Sequence, residues 1–140
     1  MSWDSYIDNL IAQTKDGAGA AHADRACIIG LDGGAAWTTA GHASALKLTG
    51  NEGPNIAKCL KSKDFTAFQA GGIHAEGVKY QFLRQEDDKI VFGKKKDHGA
   101  ITMQASKTAI VIGHTIEGCQ QGNTNKGVAV IAEYLEGLGM

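Results

Sequence analysis

The sequence predicts an α+β fold, in which a helix at each end of the chain packs on a central antiparallel sheet. Two observations lead to this class. The first residues, MSWDSYIDNL, and the last, NKGVAVIAEYLEGLGM, repeat apolar residues at helical spacing. From about residue 65, short apolar segments follow one another through turns too short to contain crossover helices, which favours antiparallel pairing.

The composition is that of an ordinary globular protein. The chain has 140 residues, of which 43% are hydrophobic and 21% charged, so we expect one domain over residues 1–140 and no long disordered region. No apolar run approaches the roughly 18 residues that span a bilayer, and no basic stretch precedes an apolar one at the start. The three cysteines form no CxxC pair, so we expect reduced thiols and a cytoplasmic protein.

The first helix is predicted to begin after Ser2, a good N-cap, with Asp4 in the first turn where the helix dipole favours a negative charge. One apolar stripe would comprise Trp3, Ile7, Leu10 and Ile11. Tyr6 and Asn9 project from the flank of that stripe. Tyr6 is therefore expected to be displayed, and to be a cleaner probe of function than Trp3.

The segment ACIIGLDGGAAWTTA predicts a hairpin around Asp32 and Gly33, because these residue types tolerate positive φ. Trp37 would lie on its second strand. Short helices are then expected on either side of a break from Gly50 to Pro54, the only proline, which suits a helix start.

The next part of the chain predicts an antiparallel meander. Its strands would be FTAFQAGG, VKYQFLRQ, KIVFGKK, AITMQAS and TAIVIGHT, joined by turns such as GG, EDD and KDHG. The last segment predicts a helix with Val128, Ile131, Leu135 and Leu138 on one stripe and Tyr134 at its shoulder. Both terminal helices must bury an apolar face on the sheet, so they can lie side by side.

Charge is unevenly distributed along a chain whose net charge is −1. Seven of the 14 basic residues lie between Lys79 and Lys107, where only four acidic residues are found. This local excess predicts a basic face rather than a basic tail.

Several chemical motifs are absent from the sequence. GKKK after Phe92 lacks the spacing of a phosphate-binding loop. The five histidines show no ligand spacing with one another or with cysteine, and no G-x-S-x-G segment marks a nucleophile. We therefore expect no enzyme activity, no metal and no cofactor.

The sequence resembles the profilin family over nearly its whole length. The resemblance is carried by MSWDSYIDNL, ACIIGLDGGAAWTTAG, the AGG before VKYQFLR, FGKKKDHGAIT, AIVIGHT and the final helix. It implies an α+β fold in which the N- and C-terminal helices pack together on one face of the antiparallel sheet and short helices on the other. It also implies a cytoskeletal regulator that binds monomeric actin 1:1, proline-rich proteins such as formin-type elongation factors, and phosphoinositide head groups. It further implies promotion of nucleotide exchange on actin and delivery of monomers for elongation.

A proline-rich site is expected where the terminal helices meet. A polyproline II helix keeps its carbonyls free, so its receptor needs flat aromatic faces that also carry donors. Trp3 and Tyr6 are neighbours on one helix, and Tyr134 comes from the adjoining one. The resemblance adds Trp37, Asn9 and Met140, the last at a position where the family often has an aromatic residue.

The actin face follows from the resemblance alone. Its matching positions are Ala70, Gly71, Gly72, Lys79, Gln81, Arg84, Lys94, Thr102, Gln121, Gly122, Asn125 and Lys126. In a regular strand, Lys79, Gln81 and Leu83 would point to one side and Arg84 to the other, so a single strand face cannot present all of them. The phosphoinositide set implied on the same basic face is Lys79, Arg84, Lys94 and Lys95.

Two other classes compete with this interpretation. A small sensory or ligand-binding domain of the PAS or longin type also wraps helices around an antiparallel sheet, but it needs an internal cavity. A small hydrolase is disfavoured by the missing motifs. We expect a monomer with no nucleic-acid partner.

Overall fold

The computed structural model describes residues 3–39 and 41–140. In chain order the described elements are α1 (Asp4–Gln13), β1 (Ala23–Gly30), α2 (Glu52–Ser62), α3 (Thr66–Gly71), β2 (Ile73–Ala75), β3 (Val78–Glu86), β4 (Ile90–Lys95), β5 (Gly99–Ala105), β6 (Ala109–Thr115) and α4 (Gln121–Gly137). The strands form one antiparallel sheet in the order β1-β6-β5-β4-β3-β2.

Two apolar layers cover the two faces of this sheet. On one face, α1 and α4 pack side by side through residues such as Ile7, Leu10 and Ile131. On the other face, α2 and α3 bury Leu60 and Phe68 against the sheet. The predicted fold class is therefore confirmed, including the pairing of the terminal helices and the meander from β2 to β6.

The predicted strand FTAFQAGG is wrong, because this segment forms α3. Phe65 and Phe68 are three residues apart and both rings are buried, with centroids 6.3 Å apart. The Asp64 carboxylate accepts hydrogen bonds from the Thr66 N–H (3.1 Å) and hydroxyl (2.6 Å) at the helix start. Apolar residues spaced this way in so short a segment fit either element. The sequence also missed β2, which follows directly.

The second strand of the predicted hairpin is also wrong. After β1 the chain turns through Gly33 and Gly34, both at positive φ, and residues 31–39 contain an isolated bridge from Ala36 to Ile29 but no strand. A Cβ on Gly34 would lie 2.4 Å from the carbonyl carbon of Gly53, so the turn packs directly on the first turn of α2. This contact directs the chain away from strand pairing.

Three further expectations concern helix ends. Residues 41–51 contain no helix, so the one predicted before the Gly50–Pro54 break is wrong, whereas α2 begins at Glu52 with Pro54 in its first turn. Leu138 is 53% exposed rather than part of the buried stripe, because α4 ends at Gly137. The predicted N-cap, Ser2, lies outside the described residues.

All three cysteine thiols are free, and burial raises the pKa of Cys27. No group of three or more potential metal-ligating side chains occurs within residues 3–39 and 41–140. In the same part of the chain, no helix has the length and apolar character needed to cross a membrane.

The contact between α1 and α4 is close at Gly127. A Cβ at this position would lie 2.7 Å from Thr14 Cγ2 and 2.9 Å from the Leu10 carbonyl oxygen. Thr14 is fully buried and its hydroxyl donates to the Ile11 carbonyl (2.7 Å), so it cannot move aside freely. Glycine at this position therefore sets the distance between the two helices.

We predict that Gly127→Ala lowers the free energy of unfolding by about 1–3 kcal/mol, because the added methyl group forces α1 and α4 apart. Urea denaturation measures this. Gly122→Ala is the matched control in the same helix, because its Cβ would meet no atom within 4 Å. It should leave stability unchanged or raise it by up to about 1 kcal/mol, through helix propensity. Equal effects of the two changes would contradict the close contact.

Candidate functional site

A continuous row of aromatic rings lies where α1, α4 and the loop after β1 meet. The ring centroids are 4.9 Å apart for Trp37 and Trp3, 5.3 Å for Trp3 and Tyr6, and 6.0 Å for Tyr6 and Tyr134. We call these four residues the aromatic surface. The structure thus brings together four of the six residues predicted for the proline-rich site.

Exposure differs strongly along the aromatic surface. Tyr134 is 51% exposed, whereas Tyr6 is only 6% exposed and belongs to the core beneath α1 and α4. Burial and the adjacent Tyr134 hydroxyl raise the pKa of Tyr6. The expectation that Tyr6 is displayed and the cleaner probe is therefore wrong, since it packs between Trp3 and Tyr134. Tyr134 is the residue that a ligand can reach most freely.

A shallow groove of about 380 Å³ runs beside the two tyrosines. Asn9, one of the six residues predicted for the proline-rich site, lines it, and its side-chain oxygen accepts a hydrogen bond from Gln13 (3.3 Å). Sequence reasoning missed the other lining residues, Ser5, Val130 and Ile131. Val130 is 36% exposed and lies one helical turn before Tyr134, so the spacing of α4 alone could have identified it.

The last predicted member, Met140, lies at the edge of the same core and not in this groove. Its side chain packs against the core beneath α1 and α4. Its main-chain oxygen accepts hydrogen bonds from the Ser106 hydroxyl (2.8 Å) and from the Thr108 N–H (2.5 Å) and hydroxyl (2.9 Å). These contacts hold the end of the chain beyond α4 against the β5–β6 turn.

A second surface lies on the same face of the sheet, where β3 and β4 extend beyond α4. A bulge in β3 decides which side chains it presents. Gln81 pairs with Lys94 and Arg84 pairs with Phe92, because the register shifts between Phe82 and Arg84. Directly paired residues share a face, and so do residues two apart in one strand. Gln81 and Arg84 therefore point to the same side.

This bulge explains how Arg84 can share a face with Lys79 and Gln81, which a regular strand would not allow. Lys79, two residues before Gln81, shares the face too, and the Arg84 guanidinium carbon lies 4.8 Å from the centre of the Phe92 ring. A regular alternation would have placed Arg84 on the opposite side. Bulges have no clear signature in this sequence, so the sequence pattern could not have predicted it.

The start of α4 borders this surface. The Gln121 side-chain amide donates to the Ile101 carbonyl (3.2 Å), and the Thr102 hydroxyl donates to Asn125 Oδ1 (2.5 Å). Thr102 is only 1% exposed, so it positions Asn125 and cannot itself reach a partner. Lys126 is exposed. We call the surface the polar face; it comprises Lys79, Gln81, Arg84, Lys94, Gln121, Gly122, Asn125 and Lys126.

The remaining predicted residues lie at the sheet edge beside the polar face. Ala70, Gly71 and Gly72 form the end of α3 and its C-cap. An open basic groove of about 860 Å³ separates α3 from β3 and β4, and its lining includes Ala70, Gly72, Lys79, Lys94, Lys95, Lys96 and His98. Three of the four residues predicted for phosphoinositides line this groove, whereas Arg84 lies outside it.

Known proteins match this chain in sequence and in fold. The profilin family model matches residues 1–140. A profilin from Clypeaster japonicus is 79% identical over 140 residues, covering 100% of both chains. The structure of Acanthamoeba castellanii profilin IB has a TM-score of 0.78 and 32% identity, with 99% of this chain and 100% of that chain covered.

A more distant structure shares the fold. Mouse profilin IIa, in complex with a double repeat from the FH1 domain of mDia1, has a TM-score of 0.72 and 23% identity, with both chains covered completely (100%). These matches favour neither the sensory-domain nor the hydrolase alternative. The chain belongs to the profilin family, whose members are non-enzymatic, actin-binding regulators of the cytoskeleton.

Proposed function

We propose that this chain binds one actin monomer on the polar face and a proline-rich segment on the aromatic surface. It would act in the cytoplasm as a monomeric adaptor associated with the cytoskeleton. The observation that carries the proposal is the unbroken row of four aromatic rings, located away from the polar face. One domain thus offers two chemically different surfaces.

The aromatic surface suits a polyproline II ligand. Such a helix has three residues per turn and no internal hydrogen bonds, so it needs apolar faces for its rings and donors for its carbonyls. Indole N–H and phenol O–H groups supply donors at the edges of flat rings. The mouse profilin complexed with an FH1 double repeat, which shares this fold, supports the same class of ligand.

We predict that Tyr134→Ala weakens binding of a decaproline peptide at least about tenfold, as expected for an aromatic residue central to an interface. Tyr134 is 51% exposed, so the free energy of unfolding should change little. Isothermal titration calorimetry measures the affinity.

Leu138→Ala is the matched control for this change. Leu138 is 53% exposed near the same end of the chain, yet it does not line the groove. Its replacement should leave decaproline affinity unchanged, and equal loss in the two variants would argue against the proposed site. Tyr6→Ala is less informative, because at 6% exposure Tyr6 also stabilises the core.

The polar face suits an acidic partner such as actin. Lys79, Arg84, Lys94 and Lys126 are all exposed, with polar Gln81 among them. Cations at the rim of an interface speed the encounter with an acidic protein and lose influence as salt rises. The face also presents Asn125, which Thr102 holds in place, and Gly122, whose surroundings are open.

We predict that reversing charge in the double variant Lys79→Glu with Arg84→Glu weakens binding of monomeric actin at least about tenfold at low salt. Decaproline affinity should stay within about twofold, since the two surfaces are separate. Sedimentation or fluorescence titration with actin measures the effect.

The control is Lys15→Glu with Lys107→Glu, two exposed lysines outside the polar face. The same net charge change at these positions should reduce actin affinity much less. If both double variants lose affinity equally, only overall charge matters and the assigned face is wrong.

We further propose that the basic groove binds phosphoinositide head groups through Lys79, Lys94 and Lys95, with Arg84 nearby. Charge-assisted hydrogen bonds from lysine to phosphate are strong, and part of this set is shared with the polar face. Lipid and actin would then compete. Co-sedimentation of the Lys79→Glu, Arg84→Glu protein with phosphoinositide vesicles tests this, and undiminished binding would oppose it.

Binding at the polar face is also proposed to promote nucleotide exchange on actin, while the aromatic surface delivers the monomer to elongation factors. Release of a fluorescent nucleotide from actin, followed with and without this protein, tests the exchange step. An unchanged release rate at saturating protein would count against it.

A further inference from the structure

The carboxylate of Asp4 reaches from the first turn of α1 to the loop that follows β1. Its Oδ1 accepts a hydrogen bond from the Thr39 N–H (2.7 Å), and its Oδ2 accepts one from the Thr39 hydroxyl (2.5 Å). Both oxygens are thus engaged by one residue, 35 positions away in the sequence. Hydrogen bonds to the charged carboxylate, first from the Thr39 side chain and then from its backbone, lower the pKa of Asp4.

This contact lies beside the two tryptophans of the aromatic surface. Trp3 directly precedes Asp4, and Trp37 lies two residues before Thr39, with the two indole rings 4.9 Å apart. Trp3 is the N-cap of α1, and Trp37 lies within residues 31–39, which belong to no strand. Regular secondary structure therefore does not fix the distance between their rings.

The loop has other tethers, but they do not join it to Trp3. The Trp37 N–H donates to the Ile28 carbonyl (2.8 Å), and the Thr38 hydroxyl accepts from the Ile28 N–H (3.3 Å). These bonds fix the loop to β1. The contact between Asp4 and Thr39 instead joins the loop to the start of α1, where Trp3 is located.

We propose that Asp4 and Thr39 are positioning residues for the proline-rich site: their two hydrogen bonds hold Trp3 against Trp37, so that the aromatic surface is continuous before a ligand arrives. This inference rests on the proposed binding of proline-rich ligands. Ordering two side chains in advance strengthens binding, because the ligand need not supply that ordering. Neither Asp4 nor Thr39 has to touch the ligand.

Asp4 could act in a simpler way, through its negative charge alone. In the first turn of α1, that charge stabilises the helix through the helix dipole, with no need for a contact with Thr39. Thr39→Val distinguishes the two roles, because it keeps the Asp4 charge and removes only the hydroxyl bond. Asp8→Ala is a second control: Asp8 also belongs to α1 and contacts the same loop, through His42 Nε2 at 3.1 Å, but further from the tryptophans.

The experiment compares Asp4→Ala, Thr39→Val, Thr39→Ser and Asp8→Ala with the parent protein. Decaproline affinity is one readout. The other is the exciton signal of paired tryptophans in circular dichroism, recorded without ligand; the chain has only two tryptophans, so the signal reports this pair alone.

Asp4→Ala should weaken decaproline binding about tenfold and remove most of the exciton signal. Thr39→Val should weaken decaproline binding and the exciton signal to a smaller degree. The double variant Asp4→Ala with Thr39→Val should differ little from Asp4→Ala, because the two substitutions remove the same contact. Thr39→Ser keeps the hydroxyl and should behave like the parent. Asp8→Ala should also keep the parent's affinity and exciton signal.

Acid titration of the ligand-free protein provides an independent test. Because hydrogen bonds from Thr39 lower the pKa of Asp4, the exciton signal should be lost at a lower pH than the one at which an unperturbed aspartate becomes protonated. In Thr39→Val, which lacks the largest cause of the lowered pKa, the loss should occur at higher pH.

The outcomes separate this inference from the proposed function. If the parent protein fails to bind decaproline, the proposed function is wrong, while the exciton signal still tests the contact. If the parent binds and Asp4→Ala changes neither readout, the inference is overturned. It is likewise overturned if Asp8→Ala matches Asp4→Ala in both readouts, since any link between α1 and the loop, and not the contact of Asp4 with Thr39, would then explain the effect.

Discussion

The close packing of α4 against α1 and the sheet is the constraint on which both proposed surfaces depend. Gly127 lets α4 approach the Leu10 carbonyl. Gly113 on β6 likewise lets α4 approach the sheet, because a Cβ on Gly113 would lie 2.9 Å from Val128 Cγ2. Because both contacts involve the middle of α4, they fix its two ends as well. One end presents Asn125 to the polar face, and the other presents Tyr134 to the aromatic surface.

The two surfaces arise from the same architecture but have different physical character. α4 and α1 cover only part of their sheet face, and beyond α4 the strands β3 and β4 expose cations and polar groups. At the junction of α1 and α4, by contrast, apolar packing continues outward from Ile7 and Ile131 into the aromatic rings. Both proposed binding surfaces thus lie at the borders of the helical layer. The polar face lies where α4 leaves the strands uncovered, and the aromatic surface lies where α1 and α4 meet.

Sequence reasoning predicted the features that depend on regular periodicity and failed where local geometry decides. The terminal helices, the meander and the approach of Tyr134 to Trp3 and Tyr6 all follow from spacing. The side of the sheet to which Arg84 points depends on a bulge in β3. The burial of Tyr6 depends on the distance between α1 and α4, which Gly127 sets. The helix α3 was missed because so short a segment carries no unambiguous period. Residue types alone predict neither the bulge in β3, nor the burial of Tyr6, nor the helix α3.

We propose that the two surfaces at the ends of α4 are separate, so that the protein can use both simultaneously. The most direct test measures decaproline affinity by fluorescence titration, first for the free protein and then for the protein saturated with monomeric actin. Two separate surfaces should give affinities that agree within about twofold, which is below 0.5 kcal/mol. A loss of tenfold or more in the presence of actin would show instead that the two ligands share a surface.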